Sequence, residues 1–144
     1  MPNRRSHDPI GKHNFRVEIE GVTQGAFQRV EGVESVTEVI EYQDGDDLIL
    51  RKRPGRTSYS NIILRRGFVN TDELWLWRKA VIEGKIERKS GSVILLADDR
   101  SEIMRYNFFE AWPCRWTWGS LDGNSKKGVS VEEIEIVVEK VDRG

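Results

Sequence analysis

The stretch that constrains this chain most is VEEIEIVVE, residues 131–139 near its end. Ile134, Ile136 and Val138 fall on one side of an extended backbone, while Glu133, Glu135, Val137 and Glu139 fall on the other. Side chains that alternate apolar and charged with a period of two describe a half-buried β-strand. Val129 and Val131 are out of phase with Ile134. This predicts either a bulge near Glu132 and Glu133 or a strand that begins there. The outer face is expected to be heavily acidic and exposed. Such a strand needs a sheet to dock into, and the rest of the chain must supply it.

The preceding residues supply it repeatedly. Phe15, Val17 and Ile19 alternate with Arg16, Glu18 and Glu20 and stop at Gly21, and a further extended piece runs from Gly25 to Val30. Ser35 to Gln43 alternates again and is punctuated by Asp44-Gly45-Asp46-Asp47. In LILRKRPGRTSYS, residues 48–60, Leu48, Ile49 and Leu50 precede Arg51, Lys52, Arg53, Pro54, Gly55 and Arg56. Pro-Gly is a turn signal, so the segment is expected to be an excursion with an apolar root and a basic tip. Ile62 to Arg66 resumes the sheet, and Ser92–Ala97 with Ile103–Trp112 reads as a hairpin turning at 98–101. A helix is predicted over Asn70–Gly84, with Asn70 or Thr71 as its cap and Gly84 as its stop. Leu74, Trp77 and Val81 form its apolar stripe, and Trp75 and Ile82 widen it beyond what one sheet would cover. The expectation is roughly seven strands and one helix, mainly β and antiparallel, as a sandwich or barrel with one flanking helix.

Composition removes whole classes of function. Charged residues are 33% of the chain, yet Lys+Arg number 23 and Asp+Glu 24, so no net field draws the chain to nucleic acid or an anionic membrane. With Cys114 as its single cysteine the chain cannot form an internal disulfide. Residues 1–13 are polar, lack the apolar core of a signal peptide, and are expected to form a flexible arm. The longest apolar run, Val93 to Ala97, is far short of a membrane span.

Candidates for chemistry are weak one by one. The adjacent acids Asp46/Asp47, Asp98/Asp99 and Glu132/Glu133 suit turns or opposite strand faces better than a catalytic dyad. His7 and His13 lie in the arm without ligands at metal spacing, and no ordered histidine stands ready to activate Cys114. No glycine-rich phosphate loop or nucleophile elbow occurs. No enzyme and no cofactor are expected. Arg51, Lys52, Arg53 and Arg56 form the sharpest basic cluster, joined by Arg65/Arg66 and Lys126/Lys127. The aliphatics beside that cluster favour a protein partner over phosphate gripping. Trp112, Trp116 and Trp118 share one strand face if the arm is regular, for packing or for base stacking. An open sheet of this kind leaves edges that must be closed, as a barrel within the chain or as a ring between copies.

The order of short motifs is then informative. F-R-V-E-I-E-G (15–21) is followed by G-A-F-Q-R-V-E-G (25–32), an excursion after Y-Q-D-G (42–45), and I-L-R-R-G (63–67) before the helix. W-P-x-x-W (112–116) and the acidic 131–139 complete the series. From about Phe15 to Val141 the chain resembles the tail tube proteins of contractile phages and of phage-derived contractile injection systems. The resemblance implies one tail-tube domain over 1–144, in which residues 44–60 form an extended inter-subunit loop. It further implies stacked hexameric rings whose sheets join between subunits into one barrel around a channel for DNA or protein cargo. Partners would be sister copies and the sheath, baseplate or hub, and cap proteins of the same particle, without membrane insertion. Assembly would occur in the bacterial cytoplasm, and the product would be a virion tail or an injection particle. On that reading Leu48, Ile49, Leu50, Arg51, Lys52, Arg53, Arg56, Trp75 and Ile82 lie at subunit interfaces. Glu133, Glu135 and Glu139 would face either the channel or the outer surface. The alternative is a monomeric small β-barrel that binds nucleic acid or a small ligand through the basic cluster and the tryptophans.

Overall fold

The computed structural model describes residues 14–67, 69–119 and 131–144. The expected arm at 1–13, together with Lys126, Lys127 and Val129, lies outside these residues. In chain order the elements are β1 (Asn14–Ile19), β2 (Thr23–Phe27), β3 (Arg29–Glu31), β4 (Ser35–Tyr42), β5 (Arg51–Tyr59) and β6 (Ile62–Gly67). There follow α1 (Glu73–Ile82), β7 (Lys89–Leu96), β8 (Glu102–Gly119), β9 (Val131–Val137) and β10 (Lys140–Arg143). The described residues thus hold ten strands rather than about seven. The expected piece from Gly25 to Val30 is divided at Gln28, the basic excursion is itself a strand, and the chain end adds β10.

The main sheet runs β2-β1-β7-β8-β9-β6-β3, with β10 also paired to β8. Its two ends are successive pieces of one bent strand. β2 pairs with β1, and after a single residue β3 pairs with β6, where the Gln28 amide donates to the Arg65 carbonyl at 2.8 Å. The sheet therefore closes on itself as a flattened barrel. The opposite corner is β8, whose first half pairs with β7 and whose second half pairs with β9. It turns there at Glu110, with φ of 55°, and at a bulge between Pro113 and Arg115. Between β3 and β4, Gly32 has φ of 88°, and a Cβ there would collide with the Asn61 carbonyl oxygen, so no side chain could be accommodated.

The barrel interior includes the alternating residues expected of β1 and of the chain's end, joined by residues of β2, β6, β7 and β8. Val17, Ile19, Phe27, Ile62, Leu64, Val93, Phe108, Ala111, Ile134, Ile136 and Val138 are buried in one cluster with Leu74 and Trp77 of α1. The helix thus covers the barrel with the Leu74–Trp77 stripe. It is shorter than expected, its N-cap is Asp72 rather than Asn70 or Thr71, and Gly84 stops it with φ of 85°.

β9 shows no bulge. Val131–Gly67 through Ile136–Ile62 form an unbroken antiparallel register. Glu132 keeps the phase of Ile134 and points inward, because Arg66 on β6 is its cross-strand neighbour and pairs with it at 2.9 Å inside the protein. Of the two expectations, a bulge or a strand that begins near Glu132, the second matches β9, which starts at Val131, and a buried ion pair holds Glu132 inside.

Candidate assembly surface

The largest departure from the compact body is the β4–β5 hairpin. It forms its own two-stranded sheet, and almost every residue of it is exposed. Its nine-residue β5 strand corresponds to about 30 Å of reach at the usual rise per residue. The reach starts at a base where the Ser60 amide donates to the Glu34 carbonyl at 3.1 Å.

The reading of this segment as apolar root and basic tip is reversed. Pro54-Gly55 does not turn the chain. Thr37 faces Thr57 while Val39 faces Pro54, so β5 carries an extra residue there, and the dipeptide makes a bulge in an exposed strand. The turn is made instead at 43–50. The Asp47 amide donates to the Asp44 carbonyl at 2.8 Å, and the Asp47 carboxylate accepts from the Ile49 amide at 3.1 Å and from Arg51 Nε at 2.7 Å. Arg51, first, and then the Ile49 amide hold the Asp47 carboxyl below its ordinary range. Leu48, Ile49 and Leu50 therefore sit at the tip, 96%, 59% and 50% exposed. Arg51, Lys52, Arg53 and Arg56 are spread along β5, and Arg53 lies over the Tyr42 ring at 5.7 Å.

The surplus apolar face of the helix is divided. Trp75 is half-buried against Trp116, with ring centroids 4.8 Å apart, so its own chain partly covers it. Ile82 and Leu76 remain exposed. The tryptophans of β8 do not share one face. The bulge pairs Trp112 with Val137 but Trp116 with Ile134 and Trp118 with Glu132, which turns Trp112 to the opposite side.

The acidic face of β9 is partnered rather than bare. Glu133 accepts from Arg65 at 2.8 Å and Glu135 from Asn61 Nδ2 at 2.8 Å; Glu139, beyond the end of β9, is exposed. Cys114 lies next to Glu135, 3.6 Å from its Oε2, and burial followed by that carboxylate pushes its thiol pKa up. A sheet face that the sequence did not single out carries alternating charges on β1 and β8. Arg16, Glu18, Arg105 and Glu102 are linked at 3.0–3.7 Å. They flank Ile94, which is buried beneath the stems of its cross-strand neighbours Arg16 and Arg105. Arg16-x-Glu18 alone gave no reason to prefer this face; the antiparallel register that brings Arg105 beside it did.

Beneath the N-terminal end of α1 a polar cluster crosses the core. Glu132 accepts from Arg66 Nε and from Trp116 Nε1 at 3.0 Å, while Arg66 Nη1 reaches Glu73 at 3.4 Å and lies over the Phe27 ring. Thr23 Oγ1 donates to Glu73 at 2.5 Å. Among the described residues no group of three or more His, Cys, Asp or Glu could hold a metal ion, and no helix is long and apolar enough to cross a membrane.

The fold has close counterparts among solved structures. A chain of the PVC extracellular contractile injection system, from its sheath-tube complex in the extended state, is 28% identical, with 96% of this chain and 93% of that chain covered at a TM-score of 0.80. A chain of the PVC sheath/tube terminator is 29% identical at 97% and 99% coverage, with a TM-score of 0.80. Hcp1 of Flavobacterium johnsoniae, 20% identical with 91% and 94% coverage and a TM-score of 0.57, shares the fold. No curated protein matches the chain by sequence. The family described as T4-like virus tail tube protein gp19 matches residues 11–142, and the chain belongs to that family, a structural subunit of the inner tube of a contractile tail or injection system.

Proposed function

We propose that this chain builds its tube as stacked six-membered rings, with the β4–β5 hairpin as the element that holds copies together. The observation that carries this is the hairpin itself, a long projection that ends in three exposed aliphatics and contributes no residue to the buried core. Exposed apolar tips of this kind mark protein contacts, and burying Leu48 alone is worth about 1.5–3 kcal/mol. The outer edges of β4, β5 and β10 are the borders at which sheets of neighbouring copies join, since the rest of the sheet closes within the chain. The charge-balanced strand faces, with Glu133 and Glu135 held by Arg65 and Asn61, suit a wet channel wall past which DNA or protein slides. Partners are the sheath, baseplate or hub, and cap proteins of the same particle, with assembly in the bacterial cytoplasm, and the chain has no catalytic role.

Replacing residues 38–56 by Asn-Gly, a two-residue hairpin turn joining Thr37 to Thr57, tests the assignment. The shortened protein should keep its circular dichroism and melt cooperatively but form no tubes in negative-stain micrographs, where the full chain does. Long tubes from the shortened protein would remove the hairpin from the contact. The monomeric-barrel alternative predicts instead tight oligonucleotide binding that weakens steeply with salt.

A further inference from the structure

A cavity of about 450 Å³ opens between the start of α1 and the second half of β8. Trp75, Trp116 and Trp118 wall it, Glu132 lies at its floor and Asp72 at its rim. The Trp75 and Trp116 planes are inclined at 48°, so the two indoles form a wedge rather than a closed stack. Glu132 is held in place by Arg66 and by the Trp116 indole N–H. Arg66 balances the Glu132 charge, so the attraction for a cation comes from the indole faces and from Asp72 at the rim.

We propose that this pocket receives the Arg56 guanidinium of β5 from a second copy of the chain. This rests on the reading of the chain as a self-assembling tube subunit. Among the basic residues of β5, Arg51 is engaged by Asp47 and Arg53 lies over Tyr42. Lys52 and Arg56 have no ion-pair partner among the described residues. Of the two, a guanidinium is flat, stacks on indole and offers a fork of donors to carboxylates, whereas an ammonium is a strongly hydrated point charge. The chain's own Arg56 does not line the pocket. β5 runs into β6 at the end where Ile62 pairs with Ile136, but the pocket lies where Arg66 pairs with Glu132, four residues along the sheet. The base of the hairpin and the pocket thus lie at opposite ends of the β6–β9 pair, and joining hairpin to pocket between copies makes a head-to-tail contact that repeats around a ring or along a stack.

The test uses the full chain under conditions where it is monomeric, titrated with a synthetic peptide of residues 50–58 while tryptophan emission is followed. A saturable change is expected, weakened by about 5- to 30-fold with the Arg56→Gln peptide and by a comparable factor in the Trp118→Ala protein. Trp118 is half exposed and outside the core cluster, so that variant should keep its fold, which circular dichroism checks. No saturable change, or one that the Arg56→Gln peptide reproduces, overturns the proposal. Tube formation by the unmodified protein is scored separately: tubes without the peptide response reject the pocket alone, and absence of tubes with a baseplate nucleus present rejects the assembly reading.

Discussion

Asp47 organises the hairpin tip by accepting from the Ile49 amide and Arg51 at once, and its charge strengthens both interactions, the pairing with Arg51 above all. Its folded pKa is lowered, so the order it imposes is complete above the ordinary carboxylate pKa and fades as pH falls through the depressed folded value. The Ile49 amide resonance should therefore stay dispersed at neutral pH and collapse toward random-coil shift in acid, before the barrel core does. Asp47→Ala, which removes the acceptor altogether, should produce the collapsed tip already at neutral pH; an unaltered Ile49 signal would show that the turn holds without the side chain. Cys114 behaves oppositely. Its raised pKa leaves less thiolate at neutral pH, so alkylation should be slower than for a simple thiol. Glu135→Gln removes the neighbouring charge and should speed the reaction severalfold, measured with iodoacetamide, while an unchanged rate would assign the shift to burial alone.

At the scale of elements, the alternation of β1 and of residues 131–139 named Val17, Ile19, Ile134, Ile136 and Val138 as core because each stretch places one face inside a closed sheet. What the sequence concealed were the places where polar partners override hydrophobicity. In the sequence Glu132 reads as half of an adjacent acid pair and Arg66 as an adjunct of the basic cluster, yet their side chains are only 5% and 4% exposed, and they tie β9 to β6 and to Glu73 at the start of α1. A pattern of residue types cannot show that two charges sixty-six positions apart will meet. The Pro54-Gly55 bulge was hidden for a related reason, since a dipeptide that usually turns a chain also suits an irregular exposed strand. The turn lay instead in the Asp-rich residues before it. Glu132→Ala leaves Arg66 charged and buried without its main partner, so a loss of about 3–5 kcal/mol is expected in chemical denaturation. Replacing both residues by leucine and methionine should restore most of that loss; if it does not, the pair's contacts to Trp116 and Thr23 carry the stability instead.

For the whole molecule, closure of the barrel within one chain changes where self-association must act. A protomer with a sealed core needs no neighbour to fold, so among the described residues self-association falls to parts such as the hairpin with its apolar tip, the outer edge of β10 and the exposed flank of α1 at Leu76 and Ile82. On the proposed contact, with the base of the hairpin and the tryptophan pocket at opposite ends of the β6–β9 pair, one copy would have a donor side and an acceptor side. Heterologous contacts propagate only while every added copy presents both. A protomer whose residues 38–56 are replaced by Asn-Gly keeps the pocket but cannot offer a hairpin, and should join a growing end and stop it. Added at about a tenth of the full-length concentration before assembly, it should shorten the tubes seen by negative stain, with the mean length falling as its fraction rises. The same protomer carrying Trp118→Ala should lose that effect, because it can neither donate nor accept. A length distribution indifferent to the shortened protomer would mean that copies meet through matching surfaces or through β10 edges, and that the hairpin points elsewhere.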